Sequence, residues 1–240
     1  MLQGKVIIVT GASRGLGQRM VHRLAEHGAT VVAAARSLSP GHNNPDGAAL
    51  ALAVDVREET QVQDMVQQTL NRYGKIDVLV NNAGLMVGDV AFTNVTPVLW
   101  RKILDTNLEG AFFCCWAVVP PMLRQGDGTI VNITSGAAVR TGFLNIAYGV
   151  SKAGLDRLTL GLGAELKDRG IACISLSPSI SATETVRRMY PDQNVDNWAQ
   201  SPELPARALC ALLEDDPTAY TGQVLSVREF LQSKGLLAQD

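Results

Sequence analysis

Two side chains in the stretch "AYGVSKAGL" have the types and spacing to move a proton: Tyr148 and Lys152 stand four residues apart among small and apolar neighbours. On a helix that separation stacks them on one face, a turn apart. A phenol that ordinarily titrates near ~10 would lie beside an ammonium, and a neighbouring cation lowers such a value by about one to three units. The phenol could then give or take a proton near neutral pH. A core tyrosine and a solvated lysine would leave the same two letters, so other parts of the chain must decide.

A second stretch, "VIIVTGASRGLGQRM", sets Gly11, Gly15 and Gly17 between a β-branched run and a helical pattern. Glycines there let the backbone turn sharply and approach a ligand, while the free amides and dipole of a helix start attract phosphate. With Ser13, Arg14 and Leu16 between the glycines, this loop is a seat for a pyrophosphate. Its Gly-x-x-x-Gly-x-Gly spacing departs from the commoner Gly-x-Gly-x-x-Gly fingerprint, but the physical logic is shared. About twenty residues on, the tip of the second strand reads the adenosine ribose, an acid binding the 2′-hydroxyl and a basic residue accepting a 2′-phosphate. Arg36 stands at that tip and no acid occurs between Ala29 and Pro45. Guanidinium groups pair with two phosphate oxygens at once, so Arg36 and Arg14 favour NADP over NAD. Asp55, followed by Val56 after the third strand, could take the adenine amino group or cap the next helix.

The elements that must hold these groups follow from periodicity. Short β-branched runs alternate with longer helical patterns, which predicts α/β architecture, a doubly wound parallel sheet of Rossmann type with about seven strands and helices on both faces. The strands are "KVIIVT", "ATVVAAAR", "ALALAVDV", "KIDVLVNNAG", "GTIVNITS", "GIACISLS" and "GQVLSV". Leu16, Met20, Val21 and Leu24 recur at helical spacing before Gly28, and Val62, Met65, Val66, Thr69, Leu70 and Tyr73 do so before Gly74. Thr96 and Pro97 cap and open a long helix through Trp100, Leu104 and Leu108, and a helix over 148–168 carries the Tyr-Lys pair. "GAFFCCWAVVPPML", fourteen apolar residues, is too short to span a bilayer and predicts a buried helix. The Pro/Gly/Asn-rich "SLSPGHNNPDG" is expected to be a surface loop. With no repeat or long linker, one domain is expected over residues 1–240.

Composition narrows the partners. The 46% apolar content is ordinary for a folded chain, and a formal charge of −2 gives no basic footprint for nucleic acid or an anionic membrane. Four cysteines without a Cys-x-x-Cys pair and three scattered histidines imply no metal. The start lacks the apolar core of a secretory signal, so a cytoplasmic location is expected.

The order and spacing of "TGASRGLG", "NNAG" at 81–84, Asn107, Ser135 and "YGVSK" make the chain resemble the short-chain dehydrogenase/reductase family over nearly its whole length. Ser135 precedes Tyr148 by thirteen residues and follows Asn107 by twenty-eight. The resemblance implies that Tyr148 is the general acid/base, that Lys152 lowers its pKa and holds the nicotinamide ribose, that Ser135 positions the substrate oxygen, and that Asn107 anchors a water relaying protons to Lys152. It further implies that Asn81, Ala83 and Gly84 line the adenine-ribose side and that "SPSISATE", with Pro178, Ile180 and Thr183, closes on nicotinamide. Ser179 replaces the family's glycine, and "LSVREF" stands where many relatives carry Asp-Gly-Gly, which bears on whether a homodimer or a homotetramer forms. Residues 184–200 are expected to be a substrate lid, with Met189, Tyr190 and Trp198 marking an apolar pocket.

The function expected is reduction of a small carbonyl compound by NADPH, or the reverse oxidation of an alcohol, with Tyr148 handling the proton. A reductase of 3-oxoacyl thioesters on acyl carrier protein is the nearest rival, for which Arg187 and Arg188 could form a landing surface. A regulatory protein that binds NADP without turnover would need no Ser135, Tyr148 and Lys152 together.

Overall fold

A computed structural model of the chain describes residues 1–39, 44–141 and 145–237. Its strands are β1 (Val6–Thr10), β2 (Thr30–Ala35), β3 (Ala48–Ala53), β4 (Val78–Asn81), β5 (Gly128–Ile133), β6 (Ile171–Ser177) and β7 (Val224–Ser226). They form one parallel sheet in the order β3-β2-β1-β4-β5-β6-β7. The expected seven strands are all present. Between them run α1 (Gly15–Glu26), α2 (Glu59–Tyr73), α3 (Pro97–Leu104), α4 (Gly110–Gln125), α5 (Ile146–Leu166), α6 (Glu184–Met189), α7 (Glu203–Glu214) and α8 (Val227–Ser233).

Alternation along each strand divides the core into two layers. Ile7 and Val9 of β1 face Met20, Val21 and Leu24 of α1, with Leu209 and Leu212 of α7 and Phe230 of α8 in the same cluster. Ile8 points the other way, toward Val62 and Met65 of α2 and Cys114, Val118 and Met122 of α4. Each such aliphatic side chain, once fully buried, contributes about 1.5–3 kcal/mol. Because the strand order reverses at β1, the loops after β1 and β4 part at the carboxyl edge of the sheet and leave a crevice there.

Three expectations change. The long helix from Thr96 is interrupted: Thr96 caps α3, accepting from Leu99 N at 3.1 Å, but Asp105–Glu109 is a π-helical turn before α4. The apolar run forming α4 is buried on one face only, since Phe112 and Trp116 are about half exposed. The last strand is shorter than expected and passes into α8, whose start Ser226 caps. The surface loop expected at 37–47 lies partly outside the described residues. Among the described residues, no helix is long and apolar enough to cross a membrane and no group of side chains could hold a metal ion.

Candidate active site

A cleft of about 600 Å³ opens at that crevice, and every residue expected in catalysis or cofactor binding except Asn81 and Asn107 lines it. At one end lies the glycine loop. Gly11 has φ +65°, and a Cβ there would sit 2.7 Å from Ala83 Cα; one on Gly17 would sit 2.4 Å from both Asn82 Nδ2 and Gly11 O. No side chain could replace these hydrogens without moving backbone. The first turn of α1 has neither a side-chain cap nor an acid, so its dipole faces the cleft uncompensated. A phosphate fits that donor set.

Asn82 holds the loop, its Nδ2 donating to Thr10 O at 2.8 Å and Gly11 O at 3.2 Å. The hydroxyl of Thr10 accepts from Asn82 N and Ala83 N, both at 3.1 Å. Asn81, expected on the adenine-ribose side, is corrected: it is buried against the opposite face, donating to Asn132 Oδ1 at 2.9 Å and Cys115 Sγ at 3.3 Å. Alternation along β4 sends one asparagine of the pair into the core and brings the other to the loop.

Arg14 and Arg36 are exposed on the cleft wall. Asp55 neither caps α2 nor stands free: Arg57 grips its carboxylate, with Nε at 3.0 Å from Oδ1 and a terminal nitrogen 2.5 Å from Oδ2. These hydrogen bonds hold the carboxyl below its ordinary range. Arg57 itself lines the cleft. It is a site residue that went unnoticed in the sequence, though Asp-x-Arg after a strand was a visible signal.

At the other end Asn145 caps α5, accepting from Tyr148 N at 3.1 Å while donating to Gly88 O at 2.8 Å, which ties the helix start to the loop after β4. Tyr148 and Lys152 share the expected face, with Lys152 Nζ 5.8 Å from the ring centroid. Ser135 ends β5, and its hydroxyl hydrogen-bonds the Tyr148 phenol and accepts from Ala137 N at 3.2 Å. The expected lowering of the tyrosine is corrected. Burial pushes the phenol above its ordinary value, and the Ser135 bond draws it only part of the way back. Lys152 Nζ lies 5.8 Å from the ring centroid and donates a hydrogen bond to Ile133 O at 2.7 Å. Burial brings the lysine itself down to about 8.

Asn107 sits behind the cleft wall on the π-helical turn. Its Oδ1 accepts from Leu85 N at 2.6 Å, and its Nδ2 donates to Leu85 O at 3.1 Å and Ser151 Oγ at 3.0 Å. A Cβ on Gly84 would lie 3.6 Å from that Oδ1 and 3.8 Å from Lys152 Nζ, so both flank one stretch of backbone.

Pro178, Ile180 and Thr183 line the cleft, the methyl group of Thr183 lying 3.5 Å from where a Cβ of Gly15 would be. Ser179 O accepts from Ser181 Oγ at 3.1 Å and Gln200 Nε2 at 3.2 Å, binding the loop to the end of the 184–200 segment. Met189, Tyr190 and Trp198 do not line the cleft. The two rings meet edge-on at 5.4 Å, and Tyr190 packs against a small core of Ala182, Val186 and Val195. Thr185 and Val186 are the residues that segment presents to the cleft.

The family model for short chain dehydrogenases matches residues 5–194. The 3-oxoacyl-[acyl-carrier-protein] reductase FabG of Chlamydia muridarum is 32% identical over 95% of this chain and 97% of its own length. The 3-ketoacyl-(acyl-carrier-protein) reductase of Brucella melitensis, solved with NADH, superposes with a TM-score of 0.85 at 28% identity, over 95% of this chain and 98% of that one. ElxO, solved with NADP bound, does so with 0.84 at 25%, over 93% and 96%. With the glycine loop, Ser135, Tyr148 and Lys152 on one cleft, these matches make the chain a member of the short-chain dehydrogenase/reductase family, an oxidoreductase.

Proposed function

We propose that the protein reduces a small carbonyl compound with NADPH, or oxidises the corresponding alcohol with NADP. The observation that carries this reading is the meeting of Ser135, Tyr148 and Lys152 at one end of a cleft whose other end is lined by Arg14 and Arg36. Bound NADPH would supply the hydride. The glycine loop and the first turn of α1 would hold its pyrophosphate, Arg14 and Arg36 its 2′-phosphate, and Lys152 its nicotinamide ribose. Ser135 would hold the substrate oxygen, and Tyr148 would donate the proton there so that negative charge never fully develops. A phenol kept protonated by burial suits the donor role, and its bond to Ser135 aims it at the same oxygen.

The printed names of the Chlamydia and Brucella relatives favour a second reading, a 3-oxoacyl thioester as substrate. The arginines that could receive an acidic carrier are engaged within the lid segment: Arg187 pairs with Asp196 at 2.6 Å and Arg188 with Glu184 at 3.6 Å. A freely diffusing carbonyl compound therefore ranks first. A non-catalytic NADP-binding role would leave the Ser135–Tyr148 hydrogen bond without a use. Self-association belongs to the same reading, supported by an apolar groove between α4 and α5 lined by Leu108, Phe112 and Leu158. Oxidation of NADPH is measured against a panel of ketones, aldehydes and a 3-oxoacyl thioester, each repeated with NADH. Turnover of a simple carbonyl with NADPH in preference to NADH is the expected result. Turnover of the thioester alone would move the assignment to the second reading, and no turnover with any of them would end both.

A further inference from the structure

A row of polar side chains crosses the middle of an otherwise apolar sheet. Asn81 on β4 is in register with Asn132 on β5, and Asn132 with Ser175 on β6; the three are 4%, 0% and 0% exposed. Buried polar groups cost stability unless each finds a partner. Here they bond in series. Asn81 Nδ2 donates to Asn132 Oδ1 at 2.9 Å, and Asn132 Nδ2 donates to Thr159 Oγ1 of α5 at 2.8 Å. The hydroxyls of Thr159 and Ser175 are 2.8 Å apart, a bond in which either can donate. Ser175 in turn hydrogen-bonds the carboxyl group of Asp156, which also receives Thr134 from the end of β5. Asp156 is on α5 one turn beyond Lys152, on the same face.

We propose that Asp156 is a positioning residue of this site: its carboxylate, the anionic end of the row from Asn81, neutralises Lys152 from inside the protein and keeps the ammonium at the cleft wall. The direction of the row agrees. A carboxylate only accepts, so the Ser175 proton turns toward it, while Thr159 accepts from Asn132 and shares its one proton between Ser175 Oγ and Leu155 O, the latter 3.0 Å away. The amides of Asn81 and Asn132 and the Ser175 hydroxyl thus point their positive ends along the row toward Asp156, and in a buried setting such bonds reinforce one another. One carboxylate oxygen, Oδ1, is buried with no hydrogen-bond partner, and a nearby positive charge offsets what that leaves unmet.

Around Lys152 stand Tyr148 and Asp156 of α5, the Ile133 carbonyl of β5, and the hydroxyls of Thr134 and Ser135. Of these Asp156 is the one carboxyl group. Its charge works against the burial that brings Lys152 down to about 8, and Lys152 works likewise against the burial that raises Asp156. The proposal rests on the reading of Tyr148 and Lys152 as the proton-handling pair, but its test needs no turnover.

Lysine labelled with ¹³C at Cε allows the Lys152 midpoint to be followed by NMR in the full-length protein without ligand, the signal assigned by its loss in Lys152→Met. In Asp156→Asn the midpoint is expected to fall by about one unit or more, and in Asp156→Glu to recover part of that shift. An unmoved midpoint in a folded Asp156→Asn protein overturns the proposal. The reciprocal measurement guards against a variant that fails to fold: the Asp156 carboxyl, followed in wild type and in Lys152→Met, should titrate higher when the lysine charge is gone, and an unchanged value also overturns it. A coupled pair in a protein that turns over no carbonyl would sink the catalytic reading and leave this one standing. An uncoupled pair in an active enzyme would do the opposite.

Discussion

The two ends of the cleft manage charge in opposite ways. At the glycine-loop end Arg14 and Arg36 stand in water, and Arg57 is about one-third exposed while it grips Asp55. At the tyrosine end Lys152 is 4% and Asn107 1% exposed, and each already has its hydrogen-bond partners in the protein. Exposed guanidinium groups attract an anion through a screened field and cost little to keep. Buried groups feel neighbours strongly, so burial itself sets their protonation. On the proposed function, one end chooses the ligand and the other handles the proton. If that division holds, substitutions at one end leave the property of the other nearly untouched.

The largest separation is expected from Tyr148→Phe. It keeps the ring against Lys152 but removes the hydroxyl that Ser135 binds. Loss of a positioned acid costs about 10²–10⁴-fold in rate, read as NADPH oxidation, while the dissociation constant for NADPH, read by fluorescence titration, should change no more than a few-fold. A parallel loss of binding would show that the ends are one unit. Gly17→Ala strikes the other end. Its new methyl would meet Asn82 Nδ2 and Gly11 O at 2.4 Å, one of them backbone. Overpacking of this kind costs about 1–3 kcal/mol, so the melting temperature should fall and NADPH binding weaken by about tenfold, while kcat at saturating NADPH stays close to that of the parent. An unweakened complex would mean that the loop does not seat the pyrophosphate.

How far these sites could be read in advance depended on how local their causes are. Strands β1, β2, β4, β5 and β6 announce themselves through their β-branched residues, β3 only through a short run of alanine and leucine, and the glycine loop through spacing, because all obey constraints that act within a few residues. The π-helical turn at 105–109 could not be read, since it exists where Asn107 meets Leu85 and Ser151, residues 22 and 44 positions away. The choice between Asn81 and Asn82 was within reach of strand alternation, which sends Asn81 inward. Spacing alone could stack Tyr148 over Lys152, but the direction in which the phenol shifts depends on how much water the fold removes and on its bond to Ser135, thirteen residues away. The aromatic residues of the 184–200 segment misled for a related reason: Tyr190 and Trp198 pack on each other.

Arg36→Asp gives the smallest and most selective effect. An arginine exposed at the tip of β2 contributes through charge-assisted hydrogen bonds to a phosphate, each worth about 1.5–3 kcal/mol at best and less in water. The ratio of NADPH to NADH affinity should fall by about tenfold in low salt, because the substitution repels a 2′-phosphate and offers a ribose hydroxyl an acceptor. Raising the ionic strength should shrink the wild-type preference toward that of the variant, since the charge lies in solvent. The pH dependence of turnover should stay where it was, because Lys152 and Tyr148 take their protonation from burial and from Ser135, Ile133 and Asp156, none of which Arg36 joins. A preference that resists both salt and substitution would place the discrimination in Arg57 instead, whose grip on Asp55 would then have to open to reach the phosphate.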